Sequence, residues 1–109
     1  MKIAISAQKK SSESNISELF GKSPYFIIFE IKGGKIIKIE IIENKNLEQI
    51  SGSGVEAAKL MMGKNVNVII TGNMGPRSLD MLNKFDVAVY CRKGRVDEAL
   101  KEFIKEKLT

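Results

Sequence analysis

The sequence predicts an α/β domain, because strand-like segments come first and strands then alternate with helices. Apolar runs rich in β-branched residues, such as VNVII at residues 66–70, are too short for helices and typical of strands. The C-terminal segment instead has the spacing of an amphipathic helix, with apolar residues at Val96, Ala99, Leu100, Phe103 and Ile104. With 109 residues, of which 43% are hydrophobic, the chain is expected to form a single domain over residues 1–109.

The N-terminal half predicts a meander of three strands. Residues 3–5 (IAI) form a short buried strand, and residues 25–31 (YFIIFEI) are apolar on both faces, which favours a central position in a sheet. Gly33-Gly34 then predicts a tight hairpin that leads into Lys35–Glu43. In this third strand one face is apolar and the other charged, which is typical of an edge strand covered on one side: Ile37, Ile39 and Ile41 against Lys38 and Glu40.

The C-terminal half predicts two β-α-β units, in which the strands are parallel. A helix is expected from near Gly54 to Gly63, because Ser53 and Glu56 have the spacing of a capping box. The remaining predicted elements are a strand over residues 66–70, a helix from Pro76, a strand over residues 87–90 and the last helix. The predicted order is therefore β-β-β-α-β-α-β-α.

The charge balance favours an anionic partner. The chain has 18 Lys+Arg against 13 Asp+Glu, a net charge of +5, although a lysine-rich solvated surface has the same composition. Aromatic residues make up only 6% and Trp is missing, which argues against a platform for stacking nucleic-acid bases. No apolar stretch approaches the ~20 residues that span a bilayer, and the lone cysteine fits a reducing cytoplasm.

The sequence also argues against an enzyme. It contains no histidine, which excludes a histidine base, a serine–histidine triad and every metal site that uses imidazole. The three aspartates, Asp80, Asp86 and Asp97, are too dispersed to predict a carboxylate pair. No catalytic residues are therefore predicted.

A binding site is predicted where loops leave the carboxyl ends of the parallel strands. Residues 71–76 (TGNMGP) connect a strand to a helix, and residues 91–95 follow the last strand. Helix N-termini there would point backbone N–H groups at one concavity for an anion. The alternative is that the glycines and proline only turn the corner. The candidate cofactor-binding residues in these loops are Gly72, Asn73, Gly75, Arg77 and Arg92.

Two further candidates lie outside this concavity or at its rim. Ser53 and Gly54 open the first predicted helix, either as a second binding loop or as a flexible loop that ends in a helix cap. Cys91 is the one soft ligand beside the methionines, so it is the candidate metal ligand. Its alternative role is that of a small apolar residue.

Several segments together resemble one known family. The sequence ISELFGKSPYF at residues 16–26, with MKIAI at the N-terminus and VDEAL at residues 96–100, is similar to the dinitrogenase iron–molybdenum cofactor biosynthesis family over essentially the whole chain. The resemblance implies a ribonuclease-H-like fold with a mixed five-stranded sheet flanked by helices. It also implies binding of iron–sulfur or iron–molybdenum cluster precursors and contact with cofactor-assembly proteins.

The sequence departs from the family pattern at two places. Many members carry a histidine where this chain has Leu19, and a His-Gly-x-Gly where it has Ser51-Gly52-Ser53-Gly54. A bound cluster would here need backbone donors, arginines or a second chain.

Three functions follow as hypotheses. The first is a non-enzymatic carrier of an anionic cluster. The second is an interaction or regulatory domain of the same fold that has lost cluster binding. The third, a nuclease of the ribonuclease H type, is disfavoured because KIAIS on the first strand offers no metal-binding carboxylate.

Overall fold

A mixed five-stranded sheet lies at the centre of the domain. The structure is a computed structural model that describes residues 1–45 and 53–108. The sheet has the order β3-β2-β1-β4-β5; β1, β2 and β3 pair antiparallel, whereas β4 lies parallel to both β1 and β5. The predicted α/β class with a mixed five-stranded sheet is thus confirmed. The strands are β1 (Lys2–Ala7), β2 (Tyr25–Lys32), β3 (Lys35–Glu43), β4 (Val68–Thr71) and β5 (Ala88–Cys91).

Helices cover both faces of this sheet. The helices α1 (Ser53–Gly63) and α2 (Pro76–Lys84) pack on one face, and α3 (Val96–Lys107) packs on the other. A short 3-10 turn, Phe20–Lys22, precedes β2. The strand β2 contributes to both cores, since Phe26 and Ile28 contact the α1–α2 layer while Ile27 and Phe29 contact the α3 layer.

Two strands begin later than predicted, and the ends of the preceding helices explain the shift. Asn65 and Asp86 have positive φ angles of 60° and 61°, so each ends a helix in the left-handed conformation. The N–H groups of Val66 and Val87 then donate back to the carbonyls of Met61 and Leu82. These valines are buried, but their backbone belongs to the helix-ending turns rather than to β4 and β5.

The outer strand β3 was expected to have its isoleucine face covered, but in the structure that face is exposed. It is an edge strand, as predicted, but its isoleucine face is open: Ile36, Ile37, Ile39 and Ile41 are 44–55% exposed. Their cross-strand neighbours on β2, Ile27 and Phe29, are buried beneath the α3 layer. The core of that layer ends at β2, because α3 lies over the middle of the sheet near β1.

Candidate functional site

A cavity of 420 Å³ opens where the 3-10 turn meets the starts of α1 and α2. Its lining comes from three segments, residues 19–22, 53–55 and 75–78. Apolar side chains of Leu19, Phe20 and Val55 contribute to the wall, and Lys22 and Arg77 bring positive charge. The described residues that line the cavity include no carboxylate.

The close approach of two backbones forms one side of the cavity. A Cβ atom added to Gly21 would lie 2.6 Å from the backbone nitrogen of Gly54 and 2.8 Å from its Cα. Only glycine at position 21 therefore lets the 3-10 turn touch the first turn of α1. A Cβ on Gly54 would in turn collide with the hydroxyl of Ser78 on α2.

The loop after β4 holds the 3-10 turn from behind. The N–H of Gly72 donates to the carbonyl oxygen of Ser17 (3.0 Å), and the N–H of Phe20 donates to the carbonyl oxygen of Asn73 (2.9 Å). A Cβ on Gly72 would lie 2.6 Å from the carbonyl oxygen of Glu18. Gly72 and Asn73 therefore anchor the segment that lines the cavity, and they are not among the lining residues themselves.

Buried polar and aromatic contacts fix the same segment to the sheet. The hydroxyl of Ser6, at the end of β1, donates to Thr71 Oγ1 (2.8 Å) and lies 3.3 Å from the carbonyl oxygen of Ser17. The ring of Phe20 is 1% exposed and lies 5.3 Å from that of Phe26. These contacts give the turn a defined position at the carboxyl ends of β1 and β4.

The N-terminus of α2 presents backbone donors to the cavity. No residue in the described part of the chain accepts a hydrogen bond from the N–H of Arg77 or Ser78, and the first bond at this end runs from Leu79 to the carbonyl of Gly75. Its first turn contains no acidic residue. The helix dipole and the Arg77 guanidinium therefore give this wall a positive potential.

The N-terminus of α3, by contrast, is occupied by the chain itself. The N–H groups of Val96 and Asp97 donate to the carbonyls of Ser14 (2.9 Å) and Ser12 (2.8 Å). The Asp97 carboxylate accepts from the N–H of Glu98 (2.8 Å) and pairs with Arg95 at 2.6 Å. The hydrogen bond from Arg95 lowers the pKa of the Asp97 carboxyl below its ordinary value.

The two predicted loops therefore reach the same sheet edge without forming one concavity. They are joined there by the bond from the Arg92 N–H to the carbonyl of Thr71, but α2 and α3 start on opposite faces of the sheet. The Arg92 guanidinium lies over the Tyr90 ring, at 5.7 Å, and its Nη1 donates to the carbonyl of Cys91. Neither Arg92 nor Cys91 is among the residues that line the cavity.

The candidate residues from the sequence thus fall into three groups. Ser53, Gly54, Gly75 and Arg77 line the cavity; Gly72 and Asn73 support it; Arg92, which lies over Tyr90, and Cys91, at the end of β5, do not line it. Binding by any of them stays a prediction. Ser51 and Gly52 lie outside the described residues.

Seven lining residues were not among the predicted site residues: Leu19, Phe20, Gly21, Lys22, Val55, Pro76 and Ser78. The signal that could have found the first four is their place inside ISELFGKSPYF, the segment most specific to the resemblance.

The described residues include no group of three or more His, Cys, Asp or Glu side chains close enough to hold a metal ion. Cys91 is exposed and free.

None of the helices in the described ranges has the length and apolarity to span a bilayer.

Comparison with known proteins gives the family. Residues 1–106 match the sequence profile described as dinitrogenase iron–molybdenum cofactor. The chain belongs to this family. An uncharacterized protein of Methanocaldococcus jannaschii is 34% identical over 109 residues, which covers 99% of this chain and 89% of that protein.

Solved structures of similar chains agree with the fold. A NifB-like protein from Thermotoga, solved by NMR, superposes with a TM-score of 0.80 at 28% identity, covering 97% of this chain and 89% of its own. The apo form of the orange protein from Desulfovibrio gigas gives a TM-score of 0.87, with 95% and 87% coverage. At 21% identity, this second likeness supports the fold alone.

The departures from the family pattern reach the cavity in part. Leu19 lines it and is 52% exposed, and Ser53 and Gly54 of the second departure line it too. Ser51, which stands where many members carry the histidine of that second motif, lies outside the described residues.

Proposed function

We propose that the chain is a non-enzymatic carrier of an anionic iron–sulfur or iron–molybdenum cluster precursor, which it binds in the cavity between the 3-10 turn, α1 and α2. One observation carries the proposal: unshared N–H groups of α2, together with Lys22 and Arg77, face a cavity whose described lining has no carboxylate. Such an arrangement stabilises a multi-atom anion. The family's description as iron–molybdenum cofactor proteins indicates which anion.

The donor set fits a cluster that keeps its own inorganic ligands. The chain has no histidine, and its one cysteine is not among the lining residues, so the cavity supplies N–H groups, hydroxyls and cations rather than soft ligands. Sulfide and oxide ligands of a preassembled cluster would accept hydrogen bonds from these donors. Binding without metal–protein bonds suits a cargo that must be released to a second protein. Delivery to cofactor-assembly proteins in the cytoplasm is part of this proposal.

The test compares two arginines in their response to a molybdenum–sulfur anion. Tetrathiomolybdate is titrated anaerobically into wild type, Arg77→Ala and Arg92→Ala, with phosphate and sulfate as simpler anions. Arg77→Ala removes a cation from the cavity, so its affinity for tetrathiomolybdate should fall about tenfold, the effect of one charged hydrogen bond. Arg92→Ala is the matched control and should bind like wild type. Equal affinities of all three proteins, or no binding at all, would contradict the proposal.

A second candidate is an interaction or regulatory domain without a cluster. The exposed Leu19 favours it, because an apolar side chain at the rim of the cavity suits contact with another protein better than contact with an anion. The same titration separates the two, since this candidate predicts no saturable binding of tetrathiomolybdate. Leu19→Ser would then weaken partner binding without any effect on anions.

The ribonuclease-H-like assignment of the fold stays an interpretation, and it raises nuclease activity as a third candidate. Such an enzyme holds its metal ions with carboxylates on the first strand. The strand β1 carries only Lys2, Ser6 and apolar residues. We therefore expect no cleavage of an RNA–DNA hybrid by the purified chain in Mg²⁺ or Mn²⁺.

A further inference from the structure

The edge strand β3 presents an apolar face that the described part of the chain leaves uncovered. Among the described residues, β3 pairs with β2 alone, so its other edge has free backbone donors and acceptors. Ile37, Ile39 and Ile41 are 55%, 52% and 44% exposed on the face of the sheet that α3 covers elsewhere. This surface lies apart from the proposed binding cavity, which opens on the face of α1 and α2.

Monomeric proteins usually protect such an edge. They place prolines, bulges or inward-pointing charges along it to prevent pairing with another strand. In β3 a bulge occurs at Ile37, where the register with β2 shifts between Glu30 and Ile31. The stretch from Lys38 to Glu43 is regular and contains no proline or glycine, so it remains open to pairing.

The charges of β3 select a second copy of the same strand as the partner. A twofold axis normal to the sheet makes two β3 strands antiparallel, and the register is defined by the residue that faces itself. When the pairing is centred on Ile39, Lys38 lies opposite Glu40 of the partner subunit, and the twofold axis repeats this pair a second time. Centred one residue earlier or later, it would place Lys38 against the partner's Lys38, or Glu40 against the partner's Glu40.

The same register also brings the isoleucines together. Ile39 faces the partner's Ile39, and Ile41 of each copy lies toward the bulge that contains the partner's Ile37, so exposed isoleucines of both copies come together on one face. On the opposite face, Glu40 already accepts a hydrogen bond from Lys64 at 2.7 Å. In the paired state its carboxylate would lie between Lys64 and the partner's Lys38. Apolar burial and charge pairing therefore favour the same register.

We propose that two copies of this chain pair antiparallel through β3, centred on Ile39, so that their sheets join into one continuous sheet. The isoleucine side chains of the two β3 strands then lie side by side on one face of this sheet. This inference is independent of the proposed cofactor function.

The experiment uses charge reversal on the full chain, followed by sedimentation analysis over a concentration series. Wild type should show a monomer–dimer equilibrium. Lys38→Glu places glutamates opposite glutamates, and Glu40→Lys places lysines opposite lysines, so each variant alone should dissociate at least about tenfold more readily. Both substitutions are on exposed or half-exposed side chains, and circular dichroism checks that each variant is folded.

Mixing the two variants gives the sharpest result. A heterodimer of Lys38→Glu with Glu40→Lys restores an opposite-charge pair at both positions, so the 1:1 mixture should dimerise like wild type. The double variant in one chain should also recover, since its charges are simply exchanged. A wild-type chain that stays monomeric at the highest concentration reached overturns the proposal and leaves the edge for a strand of another protein. Variants that dimerise as strongly as wild type overturn it too.

Discussion

Gly21 lies against Gly54 so closely that a single methyl group could not fit between them. A Cβ on Gly21 would come within 2.6 Å of the Gly54 nitrogen, a backbone atom that cannot rotate away. This contact joins the 3-10 turn to the start of α1 and thereby defines the shape of the candidate cavity.

Gly21→Ala is therefore expected to destabilise the fold by about 1–3 kcal/mol, the usual effect of overpacking. Chemical unfolding followed by circular dichroism measures the change. Gly63→Ala is the matched control, because a Cβ there meets nothing within 4 Å and alanine suits the end of a helix. Similar unfolding free energies for the two variants would show that the turn and α1 separate easily.

Gly72→Ala tests the role of the loop after β4. Because a Cβ at this position would collide with the backbone of Ser17 and Glu18, the substitution should lower stability by roughly 1–3 kcal/mol. Gly72 does not line the cavity, so the substitution should lower the affinity for tetrathiomolybdate only indirectly, by displacing the 3-10 turn. Gly75→Ala is the comparison, since a Cβ there has open space. Loss of stability in Gly75→Ala but not in Gly72→Ala would contradict this account.

Amide hydrogen exchange distinguishes the N-termini of α2 and α3. Val96 and Asp97 donate to Ser14 and Ser12, so their amides should exchange slowly although they begin a helix. The amides of Arg77 and Ser78 have no acceptor in the described part of the chain and should exchange fast. A bound anion should slow these last two selectively. Equal protection at both helix starts in the free protein would argue against an open donor site on α2.

The Lys64–Glu40 ion pair predicts a pH-dependent contribution to stability. The hydrogen bond from Lys64 lowers the pKa of the Glu40 carboxyl below its ordinary value of 4.5, against the opposing effect of burial. The pair therefore stabilises the fold above that ordinary pKa, and its contribution is lost as the pH falls through the lower pKa of the folded state.

Lys64→Met should lower the unfolding free energy by less than about 1 kcal/mol at neutral pH, because both side chains are more than a third exposed. The difference from wild type should shrink as the solution becomes acidic. In a Glu40→Gln background the same substitution should show no such pH dependence. A difference that persists unchanged at low pH would mean that Lys64 acts through packing instead.

The sequence alone determined most of the strands and helices and which strands are parallel. Turn chemistry at Gly33-Gly34, helix spacing in residues 96–104 and β-branched runs are local signals, so they located the meander, the last helix and the parallel strands. The segment ISELFGKSPYF indicated the family, which the profile match over residues 1–106 shows. The predicted binding loops also reach one sheet edge, because the carboxyl ends of parallel strands must do so.

Only the tertiary structure decided which of those loops lies at the candidate cavity. The chain passes from β5 to the opposite face of the sheet, so α3 starts on the face away from the cavity. The first N–H groups of α3 donate to the carbonyls of Ser12 and Ser14. The anchoring of the 3-10 turn by Gly72 and Asn73 could not be predicted either, because their hydrogen-bond partners, Ser17 and Phe20, are distant in sequence. Likewise, alternation in β3 showed that Ile37, Ile39 and Ile41 share a face, but only the position of α3 showed that the described residues leave that face exposed. Local patterns encode local conformation, whereas the pairing of distant backbone groups and the reach of a helix across a sheet depend on the whole folded chain.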